Sequence, residues 1–92
     1  MYHVIVNPSS KSGLAKKQWK ELQKVLDYKK VTYIVHFTKS EKDLQKYTRS
    51  ITDKMLYEHN GRPNRLIILG GDGTLNCVLN SIDDLDNTIV SY

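Results

Sequence analysis

Four short apolar runs, each bounded by turn-forming residues, alternate along this chain with three stretches of helical spacing, and that alternation restricts the folds available to it more than any other feature. Tyr2 to Val6 is the first run. It stops at Asn7-Pro8, where the proline fixes φ and denies the ladder a donor, so a short buried strand is predicted. Ala15, Trp19, Leu22 and Leu26 then recur three and four residues apart with lysines between them, which predicts a first helix. Val31 to Phe37 carries β-branched and aromatic residues on both faces, the pattern of a strand covered on two sides. Hydroxyls at Thr38 to Glu41 precede a second helical pattern at Leu44, Tyr47, Ile51 and Met55, which His59-Asn60-Gly61 and Pro63 are expected to end. Leu66 to Leu69 reads as a third strand, broken by Gly70-Gly71-Asp72-Gly73. Leu75, Val78, Leu79 and Ile82 fit a short third helix before a fourth strand at Thr88 to Val90.

Strand alternating with helix predicts an α/β fold: a three-layer parallel sheet with helices on both faces. In such sheets ligands bind beyond the carboxyl ends of the strands, above all where the strand order changes direction. That rule gathers three separate loops at one edge, namely Asn7 to Gly13, the turn at Thr38, and Gly70 to Thr74. No internal repeat, low-complexity tract or interdomain linker interrupts the pattern.

Ninety-two residues make at most one small domain, which buries only about 60–65% of its unfolded surface. A two-domain enzyme with an enclosed cleft is excluded for a chain of this length. Cys77 is the single cysteine and has no partner for an internal disulfide. The opening MYHVIVNPSS lacks the basic start and long apolar run of a signal peptide, and the longest apolar run, Leu66 to Leu69, falls far short of the roughly 20 residues that cross a bilayer. A cytoplasmic protein is expected. The net charge of +4 is uneven: residues 1 to 30 hold seven lysines against Glu21 and Asp27, whereas Asp72 to Tyr92 contain no Lys or Arg. Lys16, Lys17, Lys20 and Lys24 read as the solvated face of the first helix; a patch for nucleic acid, anionic lipid or a polyphosphate is the competing reading. Nucleic acid ranks lowest, because no aromatic residues interleave with these lysines as a single-strand platform requires.

The loop Gly70-Gly71-Asp72-Gly73-Thr74-Leu75-Asn76 follows an apolar strand and opens a helix. Glycines let the backbone approach a ligand closely, so that consecutive N–H groups point at one anion. The first turn of the helix adds unpaired N–H groups and the positive end of its dipole. Asp72 would repel phosphate unless a cation intervenes, which points to a Mg²⁺ bridge or a structured water, and Thr74 and Asn76 are suited to donate to phosphate or to cap the helix. A tight strand-to-helix turn with Asp72 bonded to local backbone is the plainer alternative.

GGDGTLN at 70 to 76, together with NPSSKSG at 7 to 13, strongly resembles the catalytic domain of the diacylglycerol kinase and related lipid kinase family. NAD kinases carry GGDGT and phosphofructokinases a similar loop, so their nucleotide-binding domains share the expected fold; the asparagine-proline loop and the asparagine after GGDGTL favour the lipid kinases. The resemblance covers essentially the whole chain as the N-terminal portion of that domain, residues 1-92. It implies binding of ATP with Mg²⁺ and transfer of the γ-phosphoryl group to a lipid hydroxyl such as that of diacylglycerol. Asn7, Pro8, Ser9 and Ser10 would form the first nucleotide loop, Thr38 would be the contact after strand two, and Gly71, Asp72, Gly73, Thr74, Leu75 and Asn76 would hold the phosphates, with Asp72 essential to the site and the candidate for Mg²⁺ by way of the ATP phosphates. Three positions depart from the family's pattern. Lys11 stands where glycine is common, which would loosen the first loop or add a charge to phosphate. Cys77 replaces a usual glutamate, removing a capping-box partner for Thr74 and one polar nucleotide contact. Ser81 replaces another common glycine.

The resemblance also implies a second, largely β domain carrying the general base and the lipid pocket, and a Gly-Thr-Gly-Asn segment after strand four. Neither lies within these residues, so the chain reads as cut after strand four, with no catalytic residue of its own and no turnover expected from it alone. Peripheral contact with a membrane and a homodimer are expected partnerships. A non-catalytic nucleotide sensor is the alternative of a different class, and an NAD kinase the alternative enzyme. His3, His36 and His59 lack metal-ligand spacing, and Trp19 is assigned to the core. For Cys77 the readings are a small buried apolar residue or a thiol of lowered pKa beside a helix N-terminus.

Overall fold

A computed structural model describes residues 2–9, 13–53, 64–84 and 88–91. Strands β1 (Tyr2–Val6), β2 (Tyr33–Phe37), β3 (Asn64–Leu69) and β4 (Thr88–Ser91) alternate with helices α1 (Leu14–Tyr28), α2 (Glu41–Ile51) and α3 (Asp72–Ser81). All strand pairs are parallel, in the order β2-β1-β3-β4. The α/β reading with helices on both faces therefore holds.

The order has a mechanical consequence. From β1 the chain steps outward to β2, then returns past β1 to β3 and on to β4, so its direction reverses once. Crossovers of one handedness place their helices on opposite faces when direction reverses. Accordingly, among the described elements, α1 alone packs on one face, through Ala15, Trp19 and Leu26 against Val4 and Val6. Helices α2 and α3 share the other face, where Leu44, Ile51 and Val78 bury Ile5, Leu66 and Ile68. Alternate residues of β1 thus feed two cores, and Val4, Ile5 and Val6 are all fully buried. Trp19 meets Tyr33 and Phe37 edge-on, with ring centroids 5.5 Å and 6.4 Å away.

Two expectations are corrected. Val31 to Phe37 was expected to lie under cover on two sides, but β2 starts at Tyr33 and is an edge strand, with Ile34 46% and Phe37 40% exposed. Its β-branched and aromatic residues record strand propensity rather than burial. Helix α3 begins at Asp72, so only Gly70 and Gly71 form the turn, and Leu79 is exposed rather than core. Met55, His59-Asn60-Gly61 and Pro63 lie outside the described residues.

Helix ends follow local rules. At the end of α1, Val31 N–H bonds Leu26 C=O and Lys30 N–H bonds Asp27 C=O, a Schellman arrangement with Lys30 in the left-handed region at φ 56. Leu26 and Val31 then meet in the same core. At the far ends of α2 and α3, buried Thr52 accepts from Asp83 N–H at its hydroxyl and from Asp84 N–H at its carbonyl, tying the two helices together. No helix among the described residues is long and apolar enough to cross a membrane.

Candidate functional site

The switch point between β1 and β3 opens into a cavity of about 580 Å³ beyond the strand ends. Three loops wall it, as the sheet rule predicts. Asn7 and Ser9 come from the loop after β1, Thr38, Lys39 and Ser40 from the turn after β2, and Gly71, Gly73 and Thr74 from the β3–α3 junction. Backbone bonds continue the ladder into this rim: Asn7 N–H donates to Leu69 C=O at 2.9 Å, and Thr38 N–H donates to Val6 C=O at 2.9 Å. The three loops are thereby held in register with one another.

One side-chain bond closes the site. Asn7 Nδ2 donates to Thr74 Oγ1 at 3.1 Å across 67 positions of sequence, while Asn7 Oδ1 accepts from Ser9 N–H at 3.3 Å. Asparagine suits this place because its amide donates in one direction and accepts in the other. Thr74 can reach Asn7 only because Gly70 has no side chain: a Cβ there would stand 2.7 Å from Thr74 Oγ1 and 2.8 Å from its Cβ. Gly73 differs. A Cβ at Gly73 would meet no atom of the described residues within 4 Å.

The two helices that start at this rim are finished differently. Helix α2 is capped by Ser40, whose Oγ accepts from Asp43 N–H at 3.1 Å. Helix α3 starts from Gly71, which has no side chain and supplies no side-chain cap. That corrects the capping expected of Thr74, which lies inside the first turn and accepts from Asn7 instead. With Thr74 so placed, cysteine at position 77 deprives it of no capping-box partner; Cys77 is half-buried and lines the cavity wall.

Asn7, Ser9, Thr38, Gly71, Gly73, Thr74 and Cys77 are brought together at this one cavity. Pro8, Leu75 and Asn76 do not line the cavity: Leu75 packs into the α2–α3 core and Asn76 is exposed. Asp72 is exposed in the first turn of α3 and lies outside the lining set as well. Ser10 and Lys11 lie outside the described residues. Lys39, Ser40, Glu41 and Leu44 line the cavity and were not expected there. The Ser40-x-x-Asp43 spacing carried a signal for them, since a capped helix start just after Thr38 turns its first residues toward the same edge.

Charge around the turn after β2 is ordered too. Asp43 is held below the usual carboxylate range, first by the Lys39 N–H bonded to its Oδ2 at 2.8 Å and then by His36 Nε2 at 3.0 Å from the same oxygen. Burial pushes the Tyr47 hydroxyl upward and lowers the His3 imidazole.

Residues 1–90 match the family model described as the diacylglycerol kinase catalytic domain. The chain belongs to this family. A protein of Bacillus subtilis (strain 168) named "Putative lipid kinase YtlR" is 31% identical to it over 88 residues. That match covers 96% of this chain and 27% of the relative, so the chain spans about a quarter of the relative's length. Membership gives the uncapped α3 terminus and the Asn7–Thr74 bridge a setting: they form the strand-end rim of a kinase-family catalytic domain.

Proposed function

We propose that this chain is the N-terminal, nucleotide-holding portion of a lipid kinase that transfers the γ-phosphoryl group of ATP to the hydroxyl of diacylglycerol or a similar lipid. The observation that carries the reading is the uncapped N-terminus of α3, opening on a cavity at the switch point and bridged to the β1 loop by Asn7 and Thr74. The positive dipole end of α3 favours phosphate oxygens there. The space over Gly73, open among the described residues, supports the same reading, because it leaves room for an anion to approach the backbone closely.

In the reaction the acceptor hydroxyl oxygen bonds to the γ-phosphorus, the bond from that phosphorus to the β,γ-bridging oxygen breaks, and ADP leaves. The hydroxyl proton passes to a base that we place in a second domain, outside this chain. Residues 1–92 contribute positioning and charge placement. No group of three or more His, Cys, Asp or Glu side chains among the described residues is arranged to hold a metal ion. Mg²⁺ is commonly held by one or two carboxylates plus phosphate and water, so Asp72, exposed in the first turn of α3, is the carboxylate that would hold it on the nucleotide's phosphates. When bound, the ion neutralises phosphate charge. A cytoplasmic protein that meets its lipid by peripheral contact follows from this assignment.

The test is Asp72→Ala in the intact protein, with diacylglycerol and NAD offered in parallel. We expect ATP-dependent lipid phosphorylation to fall by about a hundredfold or more, the scale of losing one charge-stabilising group. Normal lipid transfer by the variant would overturn the role of Asp72, and phosphorylation of NAD instead of lipid by the unmodified protein would overturn the lipid assignment.

A further inference from the structure

A group of titratable side chains lies beside the cavity without lining it. His36, near the end of β2, stacks flat on Tyr47 of α2, with ring centroids 3.9 Å apart and planes 8° from parallel. Its Nε2 stands 3.0 Å from Asp43 Oδ2. That same oxygen accepts from the backbone N–H of Lys39 at 2.8 Å, and Asp43 N–H donates to Ser40 Oγ at 3.1 Å. Asp43 therefore grips both residues on either side of the Lys39-Ser40 peptide, and Lys39 and Ser40 line the cavity. His36 touches neither the cavity nor the loop backbone; it acts through the carboxylate.

We propose that the His36–Asp43 pair positions the Thr38-Lys39-Ser40 wall for the nucleotide, and so sets the affinity for Mg-ATP. The inference rests on the nucleotide reading of the cavity. Its physical basis is the geometry of one oxygen shared by two donors. Asp43 is partly exposed, and a carboxylate held by one backbone N–H alone can rotate about its side-chain torsions; a second donor on a stacked ring fixes the rotamer in which Lys39 N–H is satisfied. The ring itself has little freedom, because Tyr47 covers its face. Thr38 is already anchored on β1 through Val6 C=O, so the residues left to be ordered by Asp43 are Lys39 and Ser40. When the binding-competent loop is only a fraction of the population, apparent affinity falls by that fraction.

The groups facing His36 are few. Helix α2 presents Asp43 and Tyr47, and β1 presents apolar Ile5 in register with His36, with His3 reached only through the Tyr47 hydroxyl at 3.5 Å.

The experiment uses the intact protein and two substitutions. His36→Phe keeps a flat ring for Tyr47 and removes the donor; His36→Gln keeps a donor amide. Calorimetric titration with Mg-ATP is paired with hydrogen exchange at the Lys39 amide, and melting curves check folding. We expect His36→Phe to weaken binding by about three- to tenfold, with lost protection at Lys39. His36→Gln should recover most of both. If the phenylalanine variant does not fold, Asp43→Ala takes its place, with the same losses expected and no further loss when His36→Gln is added. Wild-type affinity in His36→Phe, or in Asp43→Ala where that variant stands in, overturns the inference alone. Absence of saturable Mg-ATP binding by the unmodified protein overturns the nucleotide reading and this inference with it.

Discussion

Gly70 and Gly73 lie three residues apart in one motif, and the fold uses them for unlike reasons. At Gly70 the missing side chain is filled by Thr74, whose hydroxyl then takes the amide of Asn7. At Gly73 no atom of the described residues occupies the equivalent space. The two positions therefore separate folding from binding. Gly70→Ala forces Thr74 aside and should destabilise the protein by about 1–3 kcal/mol in denaturant unfolding, the usual scale of overpacking. Gly73→Ala, in the first turn of a helix, should leave stability unchanged or raise it by up to about 1 kcal/mol. It should nevertheless weaken Mg-ATP binding at least about tenfold, by placing a methyl group where phosphate approaches the backbone. Equal nucleotide affinity in Gly73→Ala and the unmodified protein would remove the reason given for a glycine there.

At the scale of elements, β1 and α2 meet through a polar pair. His3 on β1 is half-buried, and its Nδ1 lies 3.5 Å from the Tyr47 hydroxyl. Burial lowers its pKa below 6.5, so the native state resists protonation that the unfolded chain accepts. The unfolded state binds more protons between the two values, so stability is full above about pH 6.5 and declines as pH falls toward the lowered native value. The Asp43 carboxylate behaves oppositely in origin: its pKa is depressed below 3.8, and its contribution is lost only as pH falls through that lower range. The two windows are separate. Melting temperature should therefore drop between pH 7 and pH 5, and His3→Phe should flatten that drop; an unchanged pH profile in the variant would contradict the assignment.

Elements were also the level at which the sequence was most readable. Tyr2 to Val6 was predicted with the bounds observed, because a proline closes it, and α1 follows its apolar stripe to within two residues of each end. The edge position of β2 was not readable, since β-branched and aromatic residues favour strand geometry at an edge or in the middle alike. The site divided in the same way. Asn7, Thr38 and the glycine loop were legible from motif and strand ends. Lys39 and Ser40 were legible only through the Ser40-x-x-Asp43 cap spacing, and the Asp43 carboxylate bond to Lys39 N–H that holds the loop was not legible at all.

For the whole molecule, one reversal of chain direction accounts for the rest. It puts α1 on one face and α2 with α3 on the other, leaves the strand ends of β1 and β3 uncovered between them, and brings residues far apart in sequence to a single rim. The lysine-rich outer surface of α1 lies on a helix that packs against the opposite face from α2 and α3, and the account of nucleotide binding does not need it. What the account needs is that one ligand touches all three loops at once. The most direct measurement is a titration of the intact protein with Mg-ATP, followed through the backbone amide resonances of Asn7, Thr38 and Gly71 to Thr74. Saturable shifts in all three loops with a common dissociation constant are predicted; shifts confined to other surfaces, or none on the rim, would contradict the claim that this edge holds the nucleotide.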